Sequence, residues 1–329
     1  MEGARLMQFG TEDDEEKELQ TQERRQSLPQ WDVSENTRTR FIDFLCVALN
    51  ASSTVLIVFL NKYTLSDPQL RKSQILMAIW HFAATFFVLL LATRKPWRLF
   101  EPVRLPALQV LPLSAFFAGF LVLNNLSLAH NPVGFYQLSK ILTTPSVVFI
   151  NFLVFQKTIP REQFLAVLVT CVGVGLVSVQ SFKGNALGTG IACAAFTTTA
   201  CYQIWIGKKM ADLKVDAPQL LLNQSVTAVA LLIPVSMLVD VFPDFSTIST
   251  PTLLSLVAGG FVASLLNLSQ FLIIGRTSAL TFNIVSNVKM IAILSLGWYT
   301  EGKTFTLLDI MGVLLALVGA WQYAVWGRK

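Results

Sequence analysis

Val133-Gly134-Phe135-Tyr136-Gln137-Leu138-Ser139-Lys140-Ile141-Leu142-Thr143-Thr144-Pro145, continued by Ser146-Val147-Val148-Phe149-Ile150-Asn151-Phe152-Leu153-Val154-Phe155, is an apolar run with a single lysine inside it. As a helix rising 1.5 Å per residue, a run of this length crosses a hydrocarbon core of roughly 30 Å. Lys140 then stands about eight residues deep, roughly 12 Å below the surface. A lysine facing lipid there costs about 2.5–3.5 kcal/mol, so it must face protein or a water-filled cavity. The stretch therefore reads both as a membrane span and as the wall of a site.

Working outward, nine further stretches have similar length and polarity. The first five spans are Phe41 to Leu60, Gln74 to Ala92, Pro106 to Leu128, Val133 to Phe155 and Gln163 to Ser181. The second five are Ala186 to Ile206, Leu220 to Val241, Pro251 to Gly275, Ser278 to Tyr299 and Leu307 to Trp326. Chemical breaks separate them, among them Arg94-Lys95-Pro96, His130-Asn131-Pro132 and Glu301-Gly302-Lys303. The expected fold is an all-α membrane protein of ten transmembrane helices, with 41–326 as one transmembrane domain.

The bulk composition agrees: 53% hydrophobic, 14% charged, mean hydropathy +0.57, against about 25% charged for a soluble domain. The net charge of +5 comes from lysines and arginines between spans, without the aromatic-plus-basic pattern of an RNA-binding module. No nucleic acid is expected as a partner; the lipid bilayer is. Residues 1–40, with Glu12-Asp13-Asp14-Glu15-Glu16 and Arg24-Arg25, are too polar to bury a core and are expected to form a disordered cytosolic tail. They carry no signal-peptide apolar region, and their acids argue against a plastid transit peptide.

With the amino terminus cytosolic, that side collects Arg38, Arg40, Arg94, Lys95, Arg98, Arg104, Lys157, Arg161, Lys208, Lys209, Lys214, Arg276, Arg328 and Lys329. The other side holds only Lys62, Arg71, Lys72, Lys183 and Lys303. The asymmetry follows the positive-inside rule with both termini cytosolic. The four cysteines Cys46, Cys171, Cys193 and Cys201 lie inside apolar spans without metal-ligand spacing, so neither a metal nor any other cofactor is expected. The sequons at Asn50, Asn125, Asn223 and Asn267 lie in or beside spans, where no glycan can be attached.

The two halves echo one another. Asn125-Leu126-Ser127 leads through a break to the span with Lys140; Asn267-Leu268-Ser269 leads through Arg276-Thr277 to the span with Lys289. Each half, 41–181 and 186–326, holds five spans. An odd number turns the second copy upside down, which gives the inverted repeats of secondary transporters. Lys289 lies about twelve residues into its span, close to the midplane like Lys140. Acids at that depth are nearly absent: Asp43, Asp240 and Asp309 all sit near span ends. Two buried cations without carboxylates call for an anionic ligand, and the lack of an acidic relay favours anion exchange over proton coupling.

Polar neighbours extend the candidate site. Tyr136, Thr143 and Thr144 flank Lys140; Asn283, Ser286 and Asn287 flank Lys289; Asn223-Gln224 lies in the seventh span and Asn61-Lys62 closes the first. The candidate substrate-binding residues are Lys140, Lys289, Tyr136, Thr144, Asn223, Gln224, Asn283, Asn287 and Lys62. His81 and His130, with no acid pair or metal cluster beside them, offer no enzyme site.

Asn61-Lys62 and the lysines of the fourth and ninth spans resemble the nucleotide-sugar and triose-phosphate translocator superfamily. The stretches Asn125-Leu126-Ser127-Leu128, Gly134 to Lys140, Thr143-Thr144-Pro145 and Tyr202-Gln203-Ile204-Trp205-Ile206-Gly207-Lys208-Lys209 are similar to the E subgroup of solute carrier family 35. The resemblance covers about Phe41 to Trp326. It implies the ten-helix drug/metabolite transporter fold and exchange of a cytosolic nucleotide sugar for a luminal nucleoside monophosphate. It also implies that Lys140 and Lys289 bind phosphate. Met290 stands where plastid members carry a second cation, which argues against triose phosphate. Val285-Ser286-Asn287-Val288-Lys289 keeps only the lysine of the motif of GDP-mannose carriers, and Asn223-Gln224 keeps half of their asparagine pair. Relatives near this subgroup imply a UDP-sugar, and family habit implies the Golgi membrane, with the endoplasmic reticulum as alternative. Exchange of another phosphorylated metabolite, a non-transporting scaffold or regulator, and a homodimeric state stay open.

Overall fold

The computed structural model describes residues 33–131, 136, 139–178, 186–301 and 306–326. They form ten α-helices: α1 (Val33–Thr64), α2 (Gln74–Ala92), α3 (Ala107–His130), α4 (Thr143–Phe155), α5 (Arg161–Ser178), α6 (Ala186–Leu213), α7 (Ala217–Val239), α8 (Thr250–Arg276), α9 (Ala279–Glu301) and α10 (Leu307–Trp326). A single turn of 3-10 helix, Phe245–Thr247, precedes α8. No strand occurs among the described residues. Five helices are long and apolar enough to cross a membrane: Arg38–Thr64 of α1, α2, Ala107–Ser127 of α3, α7 and α8. Ser139–Phe155 and Ile310–Tyr323 are apolar but shorter.

Helix ends follow local chemistry. Nothing between Val33 and Thr64 is glycine or proline, so α1 begins inside the stretch read as a tail and residues 33–40 are helical. The rest of that tail, with Lys183 and Lys303, lies outside the described residues. α6 runs seven residues past its expected end at Ile206 because Gly207 alone does not stop a helix; the turn comes at Lys214, with φ 52°. Asp216 opens α7, its backbone N–H donating to Gln219 Oε1 at 2.9 Å. Asp240, at the other end of α7, caps a different helix. Its carboxylate accepts from the backbone N–H groups of Ile75 and Leu76 at the start of α2 and from Ser236 Oγ. Those N–H groups have no partner within α2, and a carboxylate there also meets the positive end of the helix dipole.

Contacts divide the chain into two units, Met1–Leu45 and Cys46–Lys329. The described part of the first is the opening of α1, with Phe41 and Phe44 exposed. The second holds everything else. Within it α5 packs most extensively on α10, α3 on α6 and α7, α2 on α7 and α8, and α4 on α6 and α9. The α5–α10 seam is built of small residues. A Cβ on Gly173 would strike the backbone N of Ala316 and come within 2.7 Å of the Gly312 carbonyl; one on Gly319 would come within 2.6 Å of the Thr170 nitrogen. Phe87, Phe149, Leu238 and Trp321 stand on the exterior. Large apolar side chains turned outward over helices of this length suit a lipid solvent.

Candidate functional site

The site begins at a locally tightened helix. Residues 139–141 are helical, Leu142 is a turn, and α4 proper starts at Thr143. Pro145 has no N–H to offer the Ile141 carbonyl, and Leu142 instead bonds in the tighter pattern to the Ser139 carbonyl at 3.1 Å. The described part of the expected span is thus tightened locally at Leu142, two residues after its lysine, with Leu142 itself at the helical φ −63° and ψ −13°. Lys140 is exposed, its Nζ 4.2 Å from the centroid of the Tyr136 ring. A cation over the face of an aromatic ring is attracted without being neutralised.

The second lysine comes from α9. Asn283, Ser286, Asn287 and Met290 recur at helical spacing and line one face. Lys289 lies at the edge of that face and reaches across to α1. Its Nζ donates to Asn50 Oδ1 and to Thr54 Oγ1 at 3.2 Å, and lies 5.2 Å from the centroid of the Phe282 ring. Lys289 is 9% exposed. Every partner that orients it is neutral; among the described residues neither Lys140 nor Lys289 forms an ion pair. Neutral acceptors fix the ammonium without cancelling its charge, which leaves its field available to a ligand.

Both lysines line one cavity of about 590 Å³ between α1, α3, the 136–143 segment, α6 and α9. Tyr136, Asn283 and Asn287 line it too, together with Phe120, Asn124 and Gln203. Thr144 is buried just behind, accepting from Asn287 Nδ2 at 3.1 Å. Asn283 Nδ2 donates to Gln203 Oε1, and Asn124 Nδ2 donates to Thr199 Oγ1 at 3.2 Å. Val147, Ala200, Ile204, Leu280 and Ile284 of α4, α6 and α9 form one buried apolar cluster, each within a helical turn in sequence of a residue that lines the cavity. Six of the nine candidate residues are therefore brought together: Lys140, Lys289, Tyr136, Asn283, Asn287 and, behind them, Thr144.

The other three sit elsewhere. Asn223 ties the loop before α3 to α7: its Nδ2 donates to the Val103 carbonyl at 2.7 Å, and its Oδ1 accepts from Leu105 N–H at 3.0 Å. Gln224 is fully buried and donates to the Tyr202 hydroxyl at 3.0 Å. Lys62 is exposed near the end of α1. Conversely, Asn50, Thr54, Asn124 and Gln203 belong to the constellation and were not among the candidates. Asn50 and Thr54 share one face of the first span by their i, i+4 spacing, but Ser52 and Ser53 beside them in the same span blunt that signal.

A polar cavity around two unneutralised cations, inside a shell of apolar helices, defines a helical membrane transporter. Residues 47–324 match the Triose-phosphate Transporter family, so the chain belongs to that family; its members are transporters and not enzymes. The chain is similar to UDP-rhamnose/UDP-galactose transporter 2 of Arabidopsis thaliana, 32% identical over 84% of this chain and 81% of that protein. It is 27% identical to UDP-xylose transporter 2 of the same plant, over 84% of this chain and 79% of that one. A chain solved by crystallography shares the fold with TM-score 0.66 and 14% identity, over 89% of this chain and 99% of that one.

Proposed function

We propose that the protein exchanges a cytosolic nucleotide sugar, a UDP-sugar first among them, for a luminal nucleoside monophosphate by alternating access. The observation that carries this reading is the pair Lys140 and Lys289 on one cavity, with no carboxylate among the described residues to neutralise them. A phosphate ester supplies the missing charge. The aromatic and amide groups of the same cavity (Phe120, Phe196, Asn124, Gln203) suit a base and a sugar. Met290 beside Lys289 widens the apolar part of the wall instead of adding a third cation, which favours a nucleotide sugar over a small sugar phosphate. The UDP-sugar relatives point the same way.

The architecture in this reading is ten spans as two inverted repeats, 41–181 and 186–326, after an amino-terminal tail. Support comes from the packing itself. If each helix is exchanged for the one five places away, α2–α7, α4–α9 and α5–α10 pair with themselves, and α2–α8 becomes α3–α7. Both of those last pairs are present. With the termini cytosolic, the Val147–Ile204–Ile284 cluster lies on the cytosolic side of the cavity and is the barrier that exchange must open. When both lysines are empty their repulsion and desolvation oppose closure; a bound phosphate removes that cost, which couples the return step to a counter-substrate. The membrane in this reading is the Golgi's, with the endoplasmic reticulum as alternative, and one chain contains the whole site, with or without a second copy.

The test is uptake of radiolabelled nucleotide sugars into liposomes carrying the purified protein, with and without preloaded nucleoside monophosphates. Uptake that requires an internal monophosphate is the expected result, and the best pair names the base. Folded protein that moves no nucleotide sugar, with or without a preload, defeats the proposal.

A further inference from the structure

The structure has a second cavity, of about 820 Å³ and larger than the central one, between α2, the 93–106 loop, the start of α3 and α7. Arg94, Arg98 and Arg104 line it, with Glu101 as the one acid. The arginines outnumber the acid, and among the described residues none of them forms an ion pair. Phe86, Leu90 and Val226 give it one apolar side, and Thr93, Asn223 and Thr227 add neutral polar groups. Val226 is itself 51% exposed on the outside of α7, so this wall is continuous with the apolar exterior.

The loop is held in place. Asn223 grips it at Val103 and Leu105, and Gln219 Nε2 donates to the Glu101 carbonyl at 2.9 Å. At its other end Leu99 N–H donates to the Ala92 carbonyl at 2.9 Å, and Arg98 is held at φ 37°, a conformation that a side chain as large as arginine adopts only when its surroundings impose it. Between these anchors Trp97 and Leu99 are 70% and 72% exposed. Tryptophan and leucine displayed next to arginines match the chemistry of a membrane–water interface.

We propose that this cavity binds an anionic phospholipid of the cytosolic leaflet, with the headgroup phosphate on Arg94, Arg98 and Arg104 and an acyl chain along Phe86, Leu90 and Val226. The leaflet follows from the orientation proposed above; the choice of ligand rests on the cavity. Guanidinium groups match phosphate oxygens in charge and geometry. A soluble phosphate would use the arginines and leave the apolar wall empty, whereas a phospholipid uses both. Each arginine near the headgroup contributes about five-fold in affinity.

The test is thermal unfolding of the full chain in detergent, titrated separately with phosphatidylinositol phosphate, phosphatidylcholine, and an inositol phosphate without acyl chains. The expected result is stabilisation by the anionic lipid, with little response to the other two. Arg94→Gln, Arg98→Gln and Arg104→Gln should each weaken the lipid response about five-fold, and all three together by more than any one. Equal stabilisation by phosphatidylcholine would reduce the cavity to an apolar groove, and an equal response to the soluble inositol phosphate would make it a free-anion site. Either overturns the proposal, as would unchanged lipid affinity in the triple variant. The three-ligand comparison on the unaltered protein needs no variant to fold. None of these readouts depends on transport, so failure here and failure of the exchange reading are separable.

Discussion

The α5–α10 seam and the cavity beside α4 and α9 are both places where helices meet, yet they are built on opposite plans. In the seam, Gly173 and Gly319 let two backbones meet with no room for a Cβ, the first against Gly312 and Ala316 and the second against Ala166 and Thr170. In the cavity, Lys140, Tyr136, Asn287 and Lys289 surround about 590 Å³ of space, and Leu142, the residue before α4, forms a turn. Lipid tails are as apolar as leucine, so membrane helices are held by close packing and by hydrogen bonds. The seam uses the first, which resists deformation. The cavity rim uses the second: Asn287 to Thr144, Asn283 to Gln203 and Lys289 to Asn50. Those bonds can be exchanged for bonds to a ligand. If exchange proceeds by alternating access as proposed, the first helix pair is the rigid one and the second is the one that rearranges.

The contrast can be broken from either side. The largest effect is expected in the cavity: Lys289→Ala should lower exchange by about a hundred-fold or more, since it removes a buried, hydrogen-bonded charge from the site. Size-exclusion chromatography should still find folded protein, and transport near wild-type rates would refute the role given to Lys289. In the seam, Gly173→Leu should act through stability. It places a side chain against the Ala316 backbone and should cost about 1–3 kcal/mol or more, read as a lower melting temperature or lost expression.

Smaller changes sharpen the boundary between the two plans. Asn50→Leu takes away the oxygen that orients Lys289 and should raise the apparent KM about ten-fold, a hydrogen bond to a charged group being worth about 1.5–3 kcal/mol. A fall in melting temperature with unchanged KM would instead make Asn50 a packing residue. Asn223→Ala should destabilise by about 1–2 kcal/mol through its loop bonds while leaving KM unchanged. Lys62→Ala should change exchange by less than about two-fold, as expected for an exposed surface charge; a larger loss would draw the end of α1 into the site.

The readable parts of the sequence were those where the bilayer leaves few choices. Ten apolar stretches announced the ten helices of the described residues, five of them long and apolar enough to cross a membrane, and α2 and α10 begin and end where length and polarity place them. Lys140 and Lys289 stood out because a cation at that depth has a cost that only a cavity or partner can offset. The turn at Leu142 was harder to see. Pro145 was in view, but apolar residues on both sides made one continuous span. Asn223 and Gln224 look like a pair in the sequence, but neighbours on a helix point about 100° apart. One therefore faces the 103–105 loop and the other Tyr202. Asn50 drew notice only as a sequon, because nothing in the sequence says that α1 and α9 meet there.

The most direct test of the central claim, that Lys140 and Lys289 together bind phosphate, is the thermal stabilisation of the purified protein by uridine monophosphate. Wild type, Lys140→Ala and Lys289→Ala would be compared in the same lipid and detergent. The account predicts that the nucleotide raises the melting temperature of the wild type and of neither variant, with all three starting from folded protein. Equal stabilisation of both variants would contradict it and move the phosphate site away from this cavity.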